Sequence, residues 1–144
     1  MQGAVHAISQ PMARIDVPMS AFSDTDEFIR ASRKGIAGNV VKQAVDVVGQ
    51  RDLFVRLVGV SSGNLHRVYR RKTLGPTVSE AILDTLRVCF RASAALGDLD
   101  TAREWLGTPL PALGGKRPFD WCDTFNGRRL VQDAISKIEH GEFP

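Results

Sequence analysis

The sequence predicts an all-α fold, and three observations carry that expectation. Apolar residues recur at intervals of three and four through most of the chain, polar capping residues stand ahead of several of those stretches, and strand signals are almost absent. A length of 144 residues with 43% hydrophobic content suits one domain of ordinary size or two small lobes sharing a core.

Residues 1–22 have scattered apolar positions, Pro11 and Pro18 and no sustained period, and read as a mobile leader. Ser23 then precedes Asp24, Asp26 and Glu27, an acidic first turn suited to the positive end of a helix dipole. A short helix is expected from Asp24 to about Lys34, interrupted by Gly35. From Ile36, the residues Val40, Val41, Ala44, Val47 and Val48 mark an amphipathic helix that ends near Gly49.

The stretch from Asp52 to Arg71 reads as a helix-turn-helix. Leu53, Phe54 and Leu57 form one apolar stripe, Gly59 sits at the corner, and Leu65, Val68 and Tyr69 form a second stripe. Facing away from the second stripe are Asn64, His66, Arg67, Arg70 and Arg71, with Ser62 near the leading end. Arg pairs with guanine edges or phosphates and Asn with adenine, so this face has the chemistry of a recognition helix. Charge supports the reading: residues 35–75 hold seven Lys or Arg against two acids, whereas residues 76–144 hold eight against ten. The net charge of +3 is therefore unevenly laid out, and DNA is the first partner to consider.

After the break at Leu74-Gly75-Pro76, Thr77-Val78-Ser79-Glu80 has the form of a capping box, with Thr77 capping a long helix. Its expected buried face is Val78, Ile82, Leu86, Cys89 and Phe90, running into Ala92, Ala94 and Ala95 before Gly97. Asp98 caps a further helix through Ala102, Trp105 and Leu106, stopped by Gly107 and Pro109. Gly114 and Gly115 permit positive φ, and Pro118 suits the first position of a short helix presenting Phe119 and Trp121. A last helix has Leu130, Val131, Ala134, Ile135 and Ile138 as its stripe and Gly141 as its stop. The domains expected are the leader 1–22, a helix-turn-helix domain 23–75 and a helical domain 76–144.

Several function classes are disfavoured. Cys89 and Cys122 have no metal-ligand spacing and read as buried free thiols, so no metal or cofactor is expected. His6, His66 and His140 join no Ser/His/Asp or Cys/His constellation, and Gly114-Gly115-Lys116 lacks the spacing and the Ser or Thr of a phosphate loop. No catalytic residue is assigned. No apolar run of about 18 residues or secretory signal is evident, which makes a cytoplasmic protein the expectation.

The pieces taken together resemble the Xre/MbcA/ParS antitoxin family. The match runs from about Arg33 to Phe143. It includes Arg33-Lys34-Gly35-Ile36, Gly59-Val60-Ser61 with Leu65 and Arg67, Ala102 with Trp105-Leu106, Leu113-Gly114-Gly115 with Pro118, Gly127, Val131, and Ile138 with Glu139 and Gly141. Asn64 stands where the family commonly has threonine, and Trp121-Cys122 where aliphatic residues are commoner. The resemblance implies a type II antitoxin that binds a RES-domain toxin acting on NAD and, with it, represses their own operon; because a single helix-turn-helix makes few contacts, a homodimer within a larger toxin-antitoxin assembly is expected. The chemistry on NAD then belongs to the toxin. It also implies a terminal segment that covers the toxin's active site, with Lys137, Glu139, His140, Gly141, Glu142 and Phe143 as the toxin-binding residues; on charge grounds, Glu139 or Glu142 is expected to take a basic pocket that otherwise holds a cofactor phosphate. The alternative is a stand-alone dimeric repressor whose second half serves oligomerisation or ligand sensing.

Overall fold

The computed structural model describes residues 11–142, so His6 and Phe143 lie outside the described residues. The fold is all-α. Among the described residues there is no strand, only an isolated antiparallel bridge between Leu110 and Lys116. The chain divides into two compact units, one of residues 12–86 and one holding the chain from Arg87 on. No helix among the described residues is long and apolar enough to cross a membrane.

The first unit begins earlier than the sequence suggests. Met12, Ile15 and Ala21, in the stretch read as a mobile leader, are buried, and the Asp16 amide donates to Gln43 Oε1 at 2.7 Å. A single turn, α1 (Ser20–Ser23), leads into α2 (Thr25–Lys34). Asp24 caps α2, its carboxylate accepting from the amides of Asp26 (2.8 Å) and Glu27 (3.3 Å). The helix α3 (Gly38–Val48) follows, with Val40, Val41, Ala44, Val47 and Val48 buried as the period predicts. Next come α4 (Arg51–Val58), a 3-10 turn (Ser62–Asn64) and α5 (Leu65–Val68).

The long helix α6 (Pro76–Leu96) starts before the expected cap. The amide of Ser79 donates to the Gly75 carbonyl, so Pro76 takes the first helical position and Thr77 lies inside the helix. Ser79 is committed elsewhere: its hydroxyl accepts from the Ile36 amide (3.0 Å) and donates to the Leu74 carbonyl (3.3 Å). Over residues 82–90, α6 is buried around almost its whole circumference, adding Leu83, Asp84, Thr85 and Val88 to the expected face. Thr85 Oγ1 is satisfied locally, donating to the Ala81 carbonyl at 2.8 Å.

In the second unit, Asp98 caps α7 (Leu99–Leu106) as expected, accepting from the Thr101 amide at 2.7 Å. That hydrogen bond holds the Asp98 carboxyl below the ordinary range. A 3-10 turn (Pro111–Leu113) and Gly114 and Gly115, both at positive φ, bring the chain to α8 (Pro118–Trp121). Trp121 Nε1 donates to the Leu113 carbonyl at 3.0 Å, and Lys116 Nζ lies 5.4 Å from its ring centroid.

The last helix is α9 (Phe125–Glu139), whose buried face is Gly127, Arg128, Val131, Ala134, Ile135 and Ile138. Leu130, expected in this stripe, is instead exposed (45%) because it lies about 100° from the centre of that face on a wheel of 3.6 residues per turn. Gly127 is there for space: a Cβ would stand 1.7 Å from the Trp121 carbonyl oxygen. Cys89 and Cys122 are free and buried, and burial pushes the Cys89 thiol well above its usual range.

Candidate functional site

Two surfaces carry the residues singled out from sequence, one in each unit. The first is the segment read from sequence as a recognition segment, residues 62–68. It is too short to be a stable helix alone, with a 3-10 turn of three residues running into an α segment of four. Tertiary contacts hold it instead. Leu65 (0% exposed) and Val68 (1%) anchor its inner face. Beneath it α3 comes so close that a Cβ on Gly38 would lie 1.9 Å from the Val68 carbonyl oxygen, and the Gly38 amide donates to the Arg71 carbonyl at 2.9 Å.

The front of the segment is held by a residue that sequence reading did not assign to the site. Arg51, the first residue of α4, forks onto Ser62, with Nη1 2.6 Å from Ser62 Oγ and Nη2 2.6 Å from its carbonyl oxygen. Ser62 Oγ therefore accepts from Arg51 and has its own proton left to donate outward. Asn64 Nδ2 donates to Ser61 Oγ at 2.8 Å, which leaves its carbonyl oxygen pointing away from that bond. His66, Arg67, Arg70 and Arg71 are exposed and make no side-chain hydrogen bond or ion pair among the described residues. All six residues proposed from sequence thus lie on exposed positions of one short segment and the turn after it. The arrangement is a row of cations and donors whose desolvation no carboxylate has already offset.

The second surface is the end of α9. Its cap is a Schellman motif: the Gly141 amide donates to the Ile138 carbonyl (3.0 Å) and the Glu142 amide to the Lys137 carbonyl (2.7 Å), with Gly141 at φ 78. Lys137, Glu139, His140, Gly141 and Glu142 are all exposed positions. His140 Nδ1 lies 2.7 Å from the Ser136 carbonyl oxygen, and since a carbonyl only accepts, Nδ1 carries the proton.

Glu139 is not free. Arg91, on α6, grips it through Nε to Oε2 (3.1 Å) and Nη2 to Oε1 (2.6 Å), and its Nη1 donates to Gln132 Oε1. The fork holds the Glu139 carboxyl below its ordinary range. Glu142 has no side-chain partner among the described residues. No group of three or more His, Cys, Asp or Glu among the described residues is arranged to hold a metal.

Two short helices joined by a turn and carrying a basic face unpaired among the described residues, followed by a second helical unit whose last helix ends in an exposed cap, define a two-part helical protein. Comparison with known proteins makes this specific. The profile of the antitoxin Xre/MbcA/ParS C-terminal toxin-binding domain matches residues 91–141. A "Prs ADP-ribosylating antitoxin" of Sphingobium sp. is 49% identical over 122 residues, spanning 77% of each chain. "Antitoxin Xre" of Yersinia enterocolitica is 32% identical over 127 residues, spanning 78% of this chain and 84% of its own. The chain belongs to the Xre/MbcA/ParS antitoxin family and is an antitoxin of a toxin-antitoxin system.

Proposed function

We propose that this antitoxin neutralises a RES-domain toxin that transfers ADP-ribose from NAD, and that it represses its own operon through the basic face of residues 62–71. The observation that carries the toxin half is the relative at 49% identity, whose name joins antitoxin function to ADP-ribosylation of Prs. A relative of that likeness favours transfer of ADP-ribose over simple hydrolysis of NAD, with Prs as the protein modified. In this reading the segment after α9 covers the toxin's NAD site, and a carboxylate in place of a cofactor phosphate meets the same basic groups. The system is then of type II, with a protein inhibitor acting by direct binding, and the antitoxin itself holds no cofactor.

The repressor half is supported by the row of unpaired His66, Arg67, Arg70 and Arg71 beside the donor of Ser62 and the amide of Asn64. One short recognition segment makes few base contacts. A homodimer would set two of them roughly 34 Å apart, one turn of operator DNA.

The test of the toxin half is ADP-ribose transfer by the product of the neighbouring reading frame, measured with the full chain and with a version ending at Gly141. The full chain should inhibit, and loss of the residues after Gly141 should weaken inhibition at least about tenfold, the equivalent of ~1.4 kcal/mol. Equal inhibition by both would remove the terminal segment from the mechanism.

A further inference from the structure

We infer that Arg91 is a positioning residue for toxin neutralisation: by clasping Gln132 and Glu139 it fixes the last turns of α9, so that Glu142, and not Glu139, is the acid offered to the toxin. This rests on the reading that the terminal segment covers the toxin's NAD site, and it decides between two acids that sequence alone leaves equivalent.

The geometry separates them. Gln132 and Glu139 are seven residues apart, two turns or about 10.5 Å along the helix, and one guanidinium reaches both. Both Glu139 oxygens accept from Arg91, so delivering Glu139 to a partner would break two charge-assisted bonds and strand Arg91 on a neutral amide. Glu142 has the opposite arrangement. Its backbone is fixed by the bond from its amide to the Lys137 carbonyl, one residue beyond the left-handed Gly141, while its carboxylate stays exposed. The direction in which the chain leaves Gly141 therefore follows from the placement of residues 137–139. Two things set that placement: Ile138, buried on the inner side, and Arg91, which holds the flank. The clasp shifts both partners towards their charged forms, so it persists across ordinary pH.

The experiment titrates toxin inhibition with Arg91→Gln, Arg91→Lys, Glu139→Gln, Glu142→Ala and the exchange Arg91→Glu/Glu139→Arg, all in the full chain. Far-UV circular dichroism melts establish that each is folded at the assay temperature. Glu142→Ala should lose at least about tenfold in potency. Arg91→Gln and Glu139→Gln should each lose about threefold to tenfold, Arg91→Lys somewhat less, and the exchange should regain most of the loss. A pair that served stability alone would lower the melting temperature and leave the potency of the folded chain unchanged. Wild-type potency in folded Arg91→Gln would overturn the positioning role. So would an exchange variant no better than Glu139→Gln, because Glu139 would then be touching the toxin itself. Wild-type potency in both Glu142→Ala and the chain ending at Gly141 would instead sink the terminal-segment reading, whatever the Arg91 variants did.

Discussion

The arginines of the recognition face and two arginines of the second unit are placed in opposite ways. Arg67, Arg70 and Arg71 stand exposed without partners among the described residues, while Arg91 forks onto Glu139 and Arg117 onto Asp120 (2.8 Å). An unpaired cation at a surface costs little while hydrated and is ready for an external anion. A forked cation fixes the geometry of the helix it grips and offers less to a partner. Charge is thus kept available on the recognition face and used for shape at Arg91 and Arg117, as it is at Arg51 in the first unit.

The comparison breaks most severely if the close backbone contacts are disturbed. Gly38→Ala places a methyl 1.9 Å from the Val68 carbonyl, and Gly127→Ala places one 1.7 Å from that of Trp121, both rigid backbone. Each should cost about 2–4 kcal/mol, read as a lower midpoint in thermal or urea unfolding. An unchanged midpoint would mean the backbone gives way there, and that the seat of the recognition segment or of α9 is soft.

A smaller effect sharpens the first half. Arg67→Ala should weaken binding to a duplex enriched from a random pool by the wild-type chain by about 1–3 kcal/mol if Arg67 reads a base, with relaxed preference over a scrambled duplex. If it meets only phosphate, all duplexes should weaken alike and the salt slope should fall by about one. Wild-type affinity with wild-type slope would take Arg67 off the surface that binds.

The smallest effect belongs to the clasp. A carboxyl depressed in the folded state contributes stability above the unfolded Glu value of about 4.3, and loses it as pH falls through the depressed folded value. Unfolding midpoints at pH 7 and pH 3 should therefore show acid destabilisation in the wild type that is reduced in Glu139→Gln. With side chains about a third exposed, the difference should be under about 1 kcal/mol. Equal acid loss in both would show that other carboxylates govern it.

Much of the fold was legible because its signals are local. Asp24 and Asp98 cap helices and Gly141 stops one using only neighbours within a few residues. The capping box at Thr77 misled because the helix already starts at Pro76, with the Gly75 carbonyl accepting from the Ser79 amide, while the partner of the Ser79 hydroxyl, the Ile36 amide, lies 43 residues away. Distance in sequence also hid Arg51 from the site, and it hid Arg91, 48 residues from Glu139. The six exposed residues of the recognition face were readable because anchors at Leu65 and Val68 fix which side of a short segment is outermost. Glu139 could be placed on the surface from its period, but nothing in its period says that its carboxylate is already taken.

The recognition segment also has a consequence for redesign. It is held from below by Leu65 and Val68 and at its front by Arg51, and none of these contacts passes through Asn64, His66 or Arg67 as side chains. Asn64 is tied to Ser61 Oγ through its amide, so the two positions whose side chains hold nothing among the described residues are His66 and Arg67. Randomising those two together should leave the melting behaviour of the scaffold unchanged, so that what the face presents and whether the protein folds become separately adjustable properties.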